Sequence, residues 1–524
     1  MTGGAYGACQ GVSTTPERFG NVYFAFVFIA TGGLLFGYII GINSNVVTSG
    51  QLVCPTGWTG AVGTWTSAGY EQCYKLDAIQ IGLLSSLNLI GACLSSLICF
   101  RYADDLGRKL EVQIAAVLYF VGAAVAAAAP VLWGVYAGFT IYGLGIGFAM
   151  HAAPVYIAEI SPASVRGALV SAKELVIVVG MFLGFLFGYI FSSIDTVGWR
   201  WMVAISGAFA LVMAVGINFI PQSPRFLVLK AVRDRSGGSE RLIAEAMDAT
   251  KFFRRATSLE EVRDEVETMR SEVEASIGTE VAKWSDPFKY PRPLIVGCGL
   301  VLLQQITGQP SVLYFATNIF KSAGFGSAAA LSSLGVGFVK LLATLFTVWR
   351  IDQYGRRLLL FIGIGMMTVA LALIGTAFLF RECTEPGVSV ALCGDSVTSP
   401  QGWALLTVFG LMLYVSGYQV SFGPIAWLMI SEVFPLRVRG AAFSIAAVVN
   451  FASNIMMTLT AEVLQDALTP SGVFFTYMGL ALVSLWFVNS MVPETKGKTL
   501  EEIERMMTDK PAKDYNAPEA MKRA

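Results

Sequence analysis

Two ionisable side chains stand inside long apolar stretches. "SAKELVIVVG" carries Glu174, and "GVGFVKLLATLF" carries Lys340. A charge deep in a lipid-spanning helix is expensive, so each is expected to face a polar interior and to serve a function. A pair of amides, Gln304 and Gln305 in "QQITGQP", lies in a third apolar stretch. An amide donates and accepts at once, which matches a ligand rich in hydroxyls. The bland alternative is a hydrogen bond between packed helices. The single histidine, His151 in "FAMHAAPVY", is expected to make such a packing bond, although its titration range would also suit a proton carrier. No nucleophile with its base, no metal-ligand cluster and no phosphate-binding loop is legible. Neither an enzyme nor a cofactor is expected.

Such side chains need a scaffold that holds them away from lipid. The chain has 524 residues, 55% hydrophobic and 14% charged, with a mean hydropathy of +0.63. A soluble chain of this length would carry about 25% charged residues. The 54 glycines suit helices packed closely in a membrane. Zero net charge and one histidine exclude a nucleic-acid surface. Apolar runs such as 22–42, 79–100, 112–129, 358–380 and 404–420 match the ~20 residues of a spanning helix. The expectation is an all-α membrane protein with about twelve transmembrane helices. Its six-helix halves are placed at 21–220 and 293–492, with a linker at 221–292 and tails at 1–20 and 493–524.

Lysines and arginines gather in the linker and in the loops at 101–109 and 350–357, which places these loops and both termini in the cytosol. Within the linker, 259–277 has helical apolar spacing and abundant charge, so it reads as an amphipathic helix. The first tail lacks the pattern of a cleaved signal peptide. Cys93, Cys99 and Cys298 read as packing residues. Cys54 and Cys73, like Cys383 and Cys393, lie in loops on the opposite side, where disulfides and free thiols are both open.

Three phrases occur twice. "AEISPASVRGA" is echoed by "SEVFPLRVRGA", "ADDLGRK" by "IDQYGRR", and "PQSPR" by "PETKG". The chain is therefore a duplicated six-span unit, a pattern that implies a transport scaffold with its site at the repeat interface. The repeated charges are Asp104, Arg108, Glu159 and Arg166 in one half, and Asp352, Arg356, Arg357, Glu432, Arg437 and Arg439 in the other. They are expected to form a cytosolic gate, pairing across the face to hold the halves together in one state and parting in the other. Arginine suits this because its planar fork grips carboxylates. The plain alternative is a set of interfacial charges worth little individually.

"DDLGRK", "DQYGRR", "PVYIAEISPASVRG", "PQSPR", "QQITGQP", "GPIAWLMISEVFPLRVRG" and "PETKG" together resemble the sugar porter family of the major facilitator superfamily. They fall in the family's order over nearly the whole chain, and their wording is most similar to the plant vacuolar and plastid-type glucose transporters. The resemblance implies alternating access for a monosaccharide. It gives Gln304 and Gln305 to the sugar and places Gln419, Asn450 and Asn454 at other interior positions, whereas Gln309 and Pro310 stand where the family has Ile-Asn, so that an amide moves by one position and a backbone donor is lost. Trp427 follows "GPIA", where an indole face suits the C–H side of a pyranose. Membrane lipids, a monosaccharide and possible protons are the implied partners of a monomer in the plasma membrane or a vacuolar or plastid membrane.

The chain also departs from the pattern. Ile39 and Phe139 replace the acid and arginine of the usual proton-coupling pair, which favours facilitated diffusion. Against this, Glu174 stands where the family has glutamine and Lys340 where asparagine is common. The two are expected to approach each other or share the sugar, with Glu174 a candidate relocated proton site. A glucose-like hexose facilitator is thus the leading expectation. A symporter using Glu174 and a sugar sensor on the same fold are the alternatives.

Overall fold

The computed structural model describes residues 21–48, 52–54, 65–66, 69–70, 73–194, 197–233, 238–256, 258–277, 286–325, 328–380, 382–383, 397–398, 401–434, 438–496, 498 and 500–508. The first half holds α1 (Val22–Thr48), α2 (Ala78–Leu106), α3 (Arg108–Ala128), α4 (Leu132–Ile160), α5 (Ala163–Ser192) and α6 (Gly198–Asn218). Then come α7 (Pro224–Arg233), α8 (Ser239–Arg254) and α9 (Glu260–Ile277). The second half opens with α10 (Pro291–Ile306), α11 (Gln309–Tyr314) and α12 (Ala316–Phe320). It continues with α13 (Ala329–Tyr354), α14 (Arg356–Leu379), α15 (Gln401–Val420), α16 (Phe422–Val433) and α17 (Arg439–Met491), and α18 (Leu500–Thr508) follows.

Among the described residues 11 segments are long and apolar enough to cross a membrane. The seventh span is not among them, and its sequence says why. Gly308 takes φ 101, a left-handed value that favours glycine, and Pro310 has no N–H to give. The helix therefore stops at Ile306 and resumes as the short α11 and α12. Any Cβ at position 308 would lie 2.4 Å from the Tyr477 ring. Counting this broken span, the architecture has the expected twelve crossings. The tenth span is likewise interrupted, at Ser421 between α15 and α16, and α17 contains two spans that part at Thr469 (φ 63), just before Pro470.

The halves meet along two seams, α2 against α17 and α5 against α13. These are the second span on the eleventh and the fifth on the eighth, a pairing that a six-span duplication maps onto itself. The backbones come close. A Cβ at Gly82 of α2 would lie 2.6 Å from the Leu459 carbonyl of α17. One at Gly337 of α13 would lie 2.9 Å from the Phe185 ring of α5. Small residues permit such contact in a membrane protein.

A disulfide joins Cys54 to Cys73 and ties the loop after α1 to the start of α2. The other pairing considered falls on Cys393, outside the described residues. The expected amphipathic helix is α9, but α7 and α8 were not legible. Arg254 of α8 explains how they dock. It pairs with Glu265 of α9 at 2.7 Å and donates to the terminal carbonyl of α4, at Ile160, at 2.8 Å. Asn21, ahead of α1, donates to the Phe252 carbonyl at 3.1 Å.

Candidate functional site

The amides converge where two helices break. Gln304 Nε2 donates to the Phe422 carbonyl at 3.0 Å, and Asn450 Nδ2 donates to Gln304 Oε1 at 3.4 Å. Ser421 has left helical geometry, so the break between α15 and α16 lies next to this bond. Gln419 is fully buried beside Gly423, whose Cβ would lie 2.8 Å from its Nε2, and neither of its amide atoms has a protein partner. Gln305 and Gln309 are buried with unpartnered Oε1 atoms. A buried polar atom without a hydrogen bond costs about 1–3 kcal/mol, so these amides hold unused capacity to donate and accept.

Asn454 is drawn into its own helix, accepting from Thr458 Oγ1 at 3.3 Å. Trp427 is half-buried and stacked on Phe443, with ring centroids 5.9 Å apart. It therefore joins α16 to α17. Neither is brought into contact with the Gln304 cluster by a described hydrogen bond.

Glu174 and Lys340 meet across the α5–α13 seam. Glu174 is half-buried and lies within electrostatic reach of Lys173 and Lys340. Lys340 is buried, and its Nζ sits 5.3 Å from the centroid of the Tyr418 ring. A desolvated ammonium gains from an aromatic face. The two charges approach as expected, but no ion pair of 4.0 Å or less joins them among the described residues.

Other polar residues were missed. Asn43 and Asn88 are buried with both amide atoms unpartnered, and the Tyr314 hydroxyl is buried and unpartnered. A signal was present in "GINSNV", where three polar residues interrupt an apolar helix. The next two of them cross between halves. Ser44 Oγ accepts from the Thr317 N–H at 2.9 Å, and Thr317 Oγ1 donates to Asn45 Oδ1 at 3.2 Å.

Among the described residues, the charged phrases form two pairs, each within its own half. Arg108 Nε reaches Glu159 at 3.2 Å, joining α3 to α4. Arg356 Nη2 reaches Glu432 at 3.0 Å, joining α14 to α16, and Thr495 Oγ1 donates to the other oxygen of Glu432 at 2.5 Å. The expected pairing between the halves involves side chains outside the described residues, and these two pairs are local. In each half the loop between the second and third spans folds back on the end of the fourth, so the acid finds its arginine locally. Arg357 donates to the Asn489 carbonyl at 2.7 Å, and exposed Arg166 donates to the Ser161 carbonyl at 3.4 Å. Arg437 lies outside the described residues, as do the side chains of Asp104, Asp352 and Arg439.

The third echoed phrase also has a shared role. Gln222 of "PQSPR" accepts from the Lys109 N–H at 2.9 Å, at the start of α3. Glu494 of "PETKG" accepts from the N–H groups of Arg356 and Arg357, both at 3.1 Å, at the start of α14. Each satisfies orphan donors of a helix N-terminus. His151 Nδ1 bonds Glu111 Oε2 at 2.7 Å, the packing bond expected of it, though its partner was not foreseen.

A twelve-span duplicated bundle with amides at its break points defines a membrane transporter. The sequence profile described as "Sugar (and other) transporter" matches residues 25–507, and the chain belongs to that family, whose members are transporters rather than enzymes. It is 40% identical to the D-xylose-proton symporter-like 3, chloroplastic, of Arabidopsis thaliana over 502 residues, covering 94% of this chain and 84% of that one. It is 32% identical to the D-xylose transporter of Levilactobacillus brevis, covering 94% and 97%. Among solved structures, the inward-open conformation of the xylose transporter XylE from E. coli superposes with a TM-score of 0.70 at 25% identity, covering 93% and 100%.

Proposed function

We propose that this protein carries a monosaccharide, a glucose-like hexose or a pentose, across its membrane by alternating access, as a facilitator. The observation that carries the reading is the unpartnered set at Gln305, Gln309 and Gln419, next to the Gln304–Asn450 bond. These amides present both donors and acceptors, which a sugar's hydroxyls satisfy. Glu174 and Lys340 add opposite charges within electrostatic reach of each other at the α5–α13 seam. Ile39 and Phe139 cannot titrate, which supports facilitated diffusion. The second reading is proton symport through Glu174. It is favoured by the absence, among the described residues, of a direct ion pair holding that carboxylate, and by relatives whose names are proton symporters. The sidedness that fits best puts the basic loops and α7–α9 in the cytosol and the disulfide loop opposite. A plastid membrane is the location suggested by the chloroplastic relative.

Purified protein in liposomes, offered labelled glucose or xylose with and without a proton gradient, tests this. The facilitator reading expects equilibration to one endpoint regardless of the gradient. Accumulation that needs the gradient and disappears in Glu174→Gln establishes symport instead. Movement of neither sugar would defeat the monosaccharide reading.

A further inference from the structure

Away from the amide cluster, three metal-ligand side chains from three helices converge inside the first half. Cys99 lies on α2, Glu111 on α3 and His151 on α4, and one donor atom of each lies within 4.8 Å of the others. Sequence separation hid them. They are 12 and 40 residues apart in the chain order given by their numbers, and Cys99 alone reads as a packing residue.

The environment is unusual for a packing contact. The Glu111 side chain is 0% exposed and Cys99 is equally buried, whereas the His151 side chain is 32% exposed. His151 engages only one Glu111 oxygen. The other, Oε1, is buried without a hydrogen-bond partner. A carboxylate shut away from water with an unsatisfied oxygen is costly unless a cation or donor completes it.

We propose that Cys99, Glu111 and His151 form a binding site for a borderline-soft divalent cation of the Zn²⁺ type. Thiolate, carboxylate and imidazole are the donors such ions take, and three protein ligands leave a fourth position for water. The half-open imidazole supplies the entry path. The thiol loses its proton to solvent as the metal–sulfur bond forms. The bound cation braces α2, α3 and α4 beside the loop that carries "DDLGRK", next to the Arg108–Glu159 pair. Its effect is therefore on the rigidity of the first half, and the site does not depend on which sugar is carried.

The test uses the full-length, chelator-treated protein and Co²⁺ as the probe. One Co²⁺ per chain with a thiolate-to-cobalt charge-transfer band is expected, together with a raised thermal midpoint. Cys99→Ala should abolish the band, while His151→Gln and Glu111→Gln should weaken binding by more than about tenfold, since loss of even an outer partner of a metal ligand costs about 10–100-fold. Cys298→Ala, in the other half, should retain the band. His151→Gln, the mildest change, is checked first for an unaltered midpoint without metal. Absence of the band in the unmodified protein, or its persistence in Cys99→Ala, overturns the proposal and leaves His151–Glu111 as a packing bond.

Discussion

The neighbouring amides Gln304 and Gln305 have different duties. Gln304 is tied to the Phe422 carbonyl and to Asn450, so it holds α10 against α16 and α17. Gln305 keeps an unpartnered oxygen. Truncating each should separate binding from stability. Gln305→Ala is expected to raise the uptake KM about tenfold, the equivalent of one net hydrogen bond of about 1.4 kcal/mol, with little change in thermal midpoint. Gln304→Ala should lose a similar share of affinity and about 1–3 kcal/mol of stability as well, because it removes two hydrogen bonds between helices. Uptake kinetics and thermal unfolding on the two variants check this. An unchanged KM in Gln305→Ala would remove that residue from the site.

Helix ends explain what the echoed phrases are for and how far the sequence could be read. Repetition made the charged phrases legible as a matched set, and hydropathy made the spans legible, because both are properties of short windows. The partners were not legible. Glu159 and Glu432 each had several arginines at plausible distance, and only the fold-back of the preceding loop selects Arg108 and Arg356. The same limit concealed Glu111, which reads as an ordinary acid in a first helical turn, a favourable place for it. It also concealed α7 and α8, whose mixture of charge and apolar residues makes sense only once Arg254 is seen to grip the end of α4. The capping pair yields a prediction. Gln222 cannot titrate, but Glu494 can. Partial burial pushes the Glu494 carboxyl up, but backbone N–H groups of Lys496, Arg356, Arg357 and Thr495 outweigh that and hold it below its ordinary 4.5. A depressed value in the folded state means that its contribution is present above pH 4.5 and is lost as pH falls through the folded value. Unfolding midpoints measured from pH 6 down to about 3 should therefore fall, and Glu494→Gln should flatten that decline while Gln222→Glu introduces one. Parallel profiles for all three proteins would contradict the capping account.

At the scale of the whole molecule, side-chain hydrogen bonds join the halves near the disulfide loop. They run between Ser44, Asn45 and Thr317, and Gly82 lets α2 rest on the backbone of α17. At the other end the described charge pairs stay within their own halves. The Ser44, Asn45 and Thr317 bonds join the two halves on the side that carries the disulfide. Alternating access requires that seam to part and reseal. A side chain at Gly82 would prevent resealing, since even a Cβ comes within 2.6 Å of the Leu459 carbonyl. Gly82→Leu should therefore hold the disulfide side open, cutting liposome uptake by about 5- to 150-fold, because a clash of this kind costs about 1–3 kcal/mol in the closed state alone. The open state itself is not strained by the change, so sugar binding to the detergent-solubilised variant should survive. Loss of binding together with uptake would mean that the seam is a fixed structural contact and that the halves pivot elsewhere.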